Sequence, residues 1–262
     1  MKFKFRTAVV ACLSLVLTLG SRSSAVATDP DHWDLAMDYT TSINPAFNFY
    51  GSDCEIYYIG NLLFARSMCG SYVAKVHRQA YPNLTYTVMS SLFECGSPNA
   101  ERWYDGIIEQ RSYSNNQGTF GTVCLTNLWN MSRGDILVSK YDTGSASGHV
   151  MMLGDVWSFG VFPLNGEIPG FNQAEVSVVS ILDSTSSPHG DYDTRKGAEA
   201  NNADDQGIGA AFILILTDPN SGEIIGWTWS TSASTIYQCT DPTIEDTYRP
   251  LIGGYIYGPG VN

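Results

Sequence analysis

The sequence predicts an α+β domain, with N-terminal helices packed on an antiparallel β-sheet. Three observations predict this. Apolar residues at helical spacing are confined to the first half of the chain, β-rich apolar runs bounded by turn residues fill the second half, and no internal repeat is present. Helices grouped ahead of a run of adjacent strands are the pattern of an α+β layer architecture.

The chain opens with Lys2, Lys4 and Arg6, then an apolar run from Thr7 to Gly20 and the small-residue triplet Ala25-Val26-Ala27. This is the pattern of a secretory leader cut after Ala27. The run is shorter than the roughly 20 residues that a spanning helix needs. We therefore assign residues 1–27 to a signal peptide and 28–262 to a single domain, exported to an extracellular or periplasmic compartment and with no membrane span. Within that domain, residues 28–53 read as an aromatic N-terminal segment packed over the core.

Residues 67–81 read as a helix. Tyr72, Val73, Val76 and Ala80 recur at helical spacing, Ser67 is the expected N-cap and Pro82 ends the run. Residues 86–133 read as a second helical region, a Gly/Asn-rich loop at 112–122 and a short helix near Leu125–Trp129. Three β-rich runs follow, at 133–141, 148–159 and 174–184. Residues 184–207 form a long polar loop. Two apolar runs around Asp218-Pro219-Asn220-Ser221-Gly222 then read as a hairpin within a C-terminal extension, 208–262. Asn83-Leu84-Thr85 and Asn130-Met131-Ser132 are glycosylation sequons, relevant only in a eukaryotic secretory pathway.

Charge narrows the function classes. The chain holds 14 Lys and Arg against 26 Asp and Glu, a net charge of −12. Removal of Lys2, Lys4, Arg6 and Arg22 with the leader takes it to −16. Such a chain repels nucleic acid and anionic membranes, and it has no basic run for tracking phosphates. Cys54, Cys69, Cys95, Cys124 and Cys239 survive leader removal. Export favours disulfides, so two bridges and one leftover thiol are expected, with the pairing open.

Cys69 is the candidate for that thiol, because it heads the predicted helix. Unpaired backbone N–H groups and the positive end of the helix dipole favour thiolate there, and thiolate is the attacking species. Gly70 beside it is a candidate for close substrate approach, and the Cys69 N–H is a candidate oxyanion donor. A nucleophilic cysteine needs a base, most often His. His77 is about 12 Å along the same helix, out of reach. His149 opens a strand after the small-residue loop Asp142–Gly148 and is the preferred base, with His189 well behind. Asp183 ends the next strand, where adjacent pairing would set it beside His149 to fix the imidazole tautomer. Asp183 also suits a turn start. His189 is the alternative third residue, and Arg195 is a candidate for a bidentate contact with a substrate carboxylate.

The run from Asn130 to Val156, with Gly134-Asp135 and Gly148-His149-Val150, resembles a segment of the papain-like NlpC-type and CHAP-type cysteine peptidases and amidases. In that superfamily a cysteine at a helix start comes first, a strand follows a Gly-Asp turn, the base His opens the next strand, and a third polar residue sits on a following strand. Cys69, His149 and Asp183 match in order over roughly residues 60–185. The block from Ile181 through Ile215 is similar to a secreted branch that appends a loop and hairpin. Two positions depart from the family pattern. Ser67-Met68-Cys69-Gly70-Ser71 stands where Asp-Cys-Ser-Gly is usual, and Asp183 where a third His is common. The resemblance implies a papain-like core and hydrolysis of γ-D-glutamyl or related amide bonds in peptidoglycan stem peptides, with a peptide or cell-wall peptide as substrate.

No cofactor is expected, and no metal, since Cys95 and Cys124 lack a nearby His at zinc-ligand spacing. Asp191, Asp193, Asp204 and Asp205 read as a solvated acidic loop. Trp227 and Trp229 share one strand face and read as core. The alternative class is a secreted non-catalytic binding module with a buried or bridged Cys69.

Overall fold

The computed structural model describes residues 31–52, 54–142, 146–196 and 205–261; the expected signal peptide lies outside them. Four α-helices and twelve strands are present among the described residues, an α+β architecture. None of these helices is long and apolar enough to cross a membrane.

Helix α1 (Asp31–Ser42) occupies the N-terminal segment and buries Trp33, Ala36 and Tyr39, three residues apart, as an amphipathic helix must. Strands β1 (Ile43–Tyr50), β2 (Glu55–Ile59) and β3 (Leu62–Ser67) form a small sheet of order β1-β3-β2, with β1 parallel to β3. None of these three strands was expected. The β2–β3 hairpin turns on Gly60-Asn61, with Gly60 at φ +61°, a two-residue turn signal that the sequence does carry. Helix α2 (Cys69–Ala80) follows β3 directly and packs Tyr72, Val73 and Val76 inward. Helices α3 (Tyr86–Phe93) and α4 (Ala100–Ile108) are capped by Thr85, which accepts from Val88 N, and Asn99, which accepts from Arg102 N.

The large sheet has nine strands in the order β11-β10-β9-β8-β7-β6-β12-β5-β4, every neighbouring pair antiparallel. Strands β6 (Ile136–Lys140), β7 (Gly148–Pro163) and β8 (Gln173–Thr185) are the three expected runs. Two expectations need correction. The Gly/Asn-rich stretch is not a loop but the hairpin of β4 (Ser112–Asn115) and β5 (Gly118–Leu125). Asn115 Oδ1 accepts from Gln117 N within its tight turn, and Tyr113 and Phe120 face each other across it. The C-terminal part is not an appendage either. Strand β9 (Gly207–Thr217) pairs with β8 along eleven positions, β10 (Ile224–Thr228) and β11 (Tyr237–Gln238) continue that side, and β12 (Leu251–Tyr257) inserts between β5 and β6.

Strand alternation sends Ile136, Val138, Val150, Met152 and Leu182 into a core shared with the helices. It sends Leu137, Met151, Leu153, Val179 and Ile181 into a second core with Ala211, Ile213 and Trp227. The expected disulfides are not formed: all five described cysteines are free thiols. A sheet of this size buries enough apolar surface to stand without covalent staples.

Candidate active site

Cys69 is the first residue of α2, and Met68, with extended backbone, is the N-cap in place of the expected Ser67. Ser67 is buried and committed elsewhere: its Oγ donates to Ser184 Oγ at 3.2 Å, and its carbonyl accepts from Ser184 Oγ at 2.7 Å. These bonds tie the β3–α2 junction to the end of β8, which brings Cys69 to the mouth of the large sheet. Ser71 Oγ accepts from Met68 N at 3.2 Å and donates to Met68 O at 3.1 Å, which fixes the start of the helix, and Met68 itself brings no capping oxygen to the first-turn N–H groups near the sulfur. Cys69 itself is buried, 6% exposed.

His149 reaches this point from β7. Gly148 before it has φ +137°, a conformation suited to glycine, and a Cβ there would lie 2.0 Å from Ser139 O. In the β7–β8 pairing Met151 stands opposite Asp183. His149, two residues away on the same face, is therefore Asp183's diagonal neighbour. His149 Nε2 bonds Asp183 Oδ2 at 2.5 Å, and the Cys69 side chain is a further hydrogen-bond partner of the ring. With Nε2 taken by the carboxylate, Nδ1 is the nitrogen left for the sulfur. Burial drives the His149 pKa down, but the bonds to Asp183 and Cys69 and their charges outweigh it and lift the value to about 9. The same contacts keep the His149 ring in its charged form at neutral pH, with the Cys69 sulfur as its neighbour.

Asp183 is fully buried, which favours its protonated form. Arg195, His189 and the His149 bond more than compensate and hold it well below the usual carboxylate range. Arg195 Nη1 donates to Asp183 Oδ1 at 2.7 Å, and His189 Nε2 lies 2.9 Å from Oδ2. Arg195 runs across the bare face of Gly209, which pairs with Asp183; a Cβ at Gly209 would meet Arg195 Cγ and Nε at 2.8 Å.

The structure gathers Cys69, His149, Asp183, His189 and Arg195 into one buried cluster, and at three of the expected positions the contacts differ from those anticipated. His189 engages Asp183 rather than His149. Arg195 is 3% exposed and its guanidinium is engaged by Asp183, Asp193 and Gly207 O rather than presented to solvent. Gly70 faces the interior: a Cβ there would meet Pro98 O at 2.3 Å and the Trp103 ring at 3.2 Å. Its small size serves helix packing, not substrate approach. Asp193 and Asp205, expected in a solvated loop, are buried.

Trp227 is core, whereas Trp229 stacks on His189 with ring centroids 4.0 Å apart and lies 4.9 Å from His149. Sequence reasoning missed Tyr50, which pairs with Ser67 at the end of β1. Burial, then the charges of Cys69 and Asp183, push its phenol up to about 12, so it is a neutral donor beside the sulfur. Tyr141 is likewise held neutral by burial, in the field of the same sulfur. No residue-type signal marks either tyrosine in advance.

His149, Asp183 and His189 also hold their ligand atoms within 4.8 Å of one another, close enough to share a cation. Their present contacts are hydrogen bonds at 2.5 and 2.9 Å, and the Arg195 guanidinium occupies the other carboxylate oxygen. A divalent ion would have to replace both bonds beside that fixed positive charge.

The chain is 26% identical over 191 residues to the uncharacterized protein R653 of Acanthamoeba polyphaga mimivirus, covering 71% of this chain and 75% of that protein. No family model and no solved structure matches it.

Proposed function

We propose that the protein is an exported cysteine hydrolase that cleaves an amide bond through an acyl-enzyme, on a papain-like core of the NlpC type. The observation that carries the reading is the continuous chain of contacts from Cys69 to His149 to Asp183 at a helix start. In this reading the Cys69 thiolate attacks the amide carbon, and the carbonyl oxygen becomes an oxyanion within reach of the Cys69 N–H and the Tyr50 phenol. His149 gives its proton to the departing amine, then takes one from the water that hydrolyses the thioester. Asp183 keeps the ring oriented and stabilises its charge without accepting the proton. Peptidoglycan stem peptides are the substrate class that the superfamily resemblance supplies, and residues 1–27 supply the export route.

The test is hydrolysis of a γ-D-glutamyl amide peptide by the wild-type protein and by Cys69→Ala, together with iodoacetamide alkylation at pH 7. Turnover lost in the variant, with Cys69 alkylating well ahead of the other four thiols, is the expected result. Turnover that survives the substitution, or a slow Cys69, returns the protein to the class of non-catalytic binding modules.

A further inference from the structure

The relay needs one acid, yet the acid here is gripped by two further side chains, His189 and Arg195, from the segment that follows β8. His189 N donates to Asp193 Oδ2 at 2.7 Å, and Arg195 N and Nε donate to Asp193 Oδ1 at 2.9 and 2.8 Å. Asp193 thereby folds the segment back so that both His189 and Arg195 reach Asp183. His189, Asp193 and Arg195 are all buried.

The hydrogen bonds of His189 are informative. Nδ1 lies 2.6 Å from the carbonyl oxygen of Trp229, and Nε2 lies 2.9 Å from Asp183 Oδ2. A carbonyl and a carboxylate are both acceptors, so both ring nitrogens are satisfied together only when each carries a proton. Trp229 covers the ring face and ties itself down through Nε1 to Pro188 O at 3.2 Å. Charge gives a second argument. The groups facing one another are Cys69 from α2, His149 from β7, Asp183 from β8, and His189, Asp193 and Arg195 from the following segment, with the neutral Tyr50 from β1 nearby. With Cys69 as thiolate and both histidines as imidazolium, three negative and three positive charges balance, as a buried cluster requires. A neutral His189 would leave an unbalanced negative charge inside the protein and, in either tautomer, aim a lone pair at an acceptor, the Trp229 carbonyl or the Asp183 carboxylate.

We propose that His189 is a positioning residue: a permanently cationic second histidine that, with Arg195, locks the Asp183 carboxylate in the orientation facing His149 and offsets part of its charge. The segment from Pro188 to Arg195 is then a component of the active site, though it touches no substrate. It also sets the working pH. A cation whose ring centroid is 5.5 Å from that of His149 favours the thiolate and disfavours the imidazolium.

This rests on the reading of Cys69 as nucleophile, so the test uses two measurements, neither of which needs the substrate. The first is the ring-nitrogen NMR spectrum of His189 in wild-type protein between pH 6 and 8, with and without added zinc. Two protonated nitrogens are expected throughout. One protonated nitrogen, or uptake of zinc in a 1:1 ratio with loss of the Nε2 proton, overturns the proposal. The second is the pH dependence of Cys69 alkylation by iodoacetamide in wild-type protein and in His189→Gln, which keeps a donor to Asp183 and removes the charge. The half-maximal point is expected to move up by on the order of one pH unit, whereas a purely structural loss would lower the rate without moving it. A fast wild-type Cys69 with the same half-point in a folded His189→Gln also overturns it. A slow wild-type Cys69 refutes the hydrolase reading instead and leaves the NMR result to decide the charge of His189, as it does if the variant fails to fold.

Discussion

Asp183→Asn is the perturbation whose outcome the structure constrains most tightly. The amide keeps the shape of the carboxylate but removes the charge that Arg195, His189 and His149 share. The difference between about 9 and the ordinary 6.5 for His149 corresponds to roughly 3 kcal/mol favouring its charged form. Asp183 supplies the largest favourable contribution against the opposing effect of burial. Losing it should return His149 toward its neutral form and take away the positive partner of the sulfur, with a drop of about two powers of ten in the Cys69 alkylation rate. The same change removes one partner from a buried ion cluster, typically about 3–5 kcal/mol. At about 2–4 °C per kcal/mol for a chain of this size, Tm falls by roughly 10 °C, and the protein still folds. The assay is iodoacetamide alkylation of Cys69 at pH 7, read by mass spectrometry and paired with a thermal melt. A variant that melts lower but alkylates Cys69 at the wild-type rate would refute the claim that this carboxylate holds the ion pair.

Tyr50→Phe should lower turnover of an amide substrate by about 10²-fold by removing an oxyanion donor, while Cys69 alkylation stays unchanged; equal turnover would remove Tyr50 from the mechanism. Stability should depend on pH from both sides. The His149 contribution is fully present below pH 6.5 and is lost as the pH rises through about 9, whereas that of Asp183 is fully present above pH 3.8 and is lost as the pH falls through its depressed value. Calorimetry should therefore show a plateau in Tm near pH 5–6.5 and a fall above pH 8; a Tm that keeps rising to pH 10 would contradict the raised value. Ser139 Oγ is buried with no hydrogen-bond partner, and Ser139 stands opposite His149 on β6. Ser139→Ala should be neutral or stabilising by about 1 kcal/mol in urea denaturation, and clear destabilisation would show that the hydroxyl has a partner.

What sequence alone determines here is local. Periodicity marks α2 and the runs that become β6, β7, β8 and the β9–β10 hairpin, because amphipathic spacing and turn residues act over a few positions. The order of Cys69, His149 and Asp183 along those elements is also legible, since each sits at an element end, where a side chain can serve a mouth rather than a core. The Gly60-Asn61 turn of the β2–β3 hairpin is a local signal of the same kind. What only the tertiary structure decides is which distant segments share a neighbourhood. Nothing local says that Leu251–Tyr257 inserts between β5 and β6, that β1 delivers Tyr50 to Cys69, or that Asp193 turns Arg195 and His189 back onto Asp183. The same is true of the cysteines, for which compartment and number predicted bridges while the fold keeps all five apart. A buried charge is tolerated only where partners from several elements converge on it, and that convergence depends on packing across the whole sheet rather than on any stretch of sequence.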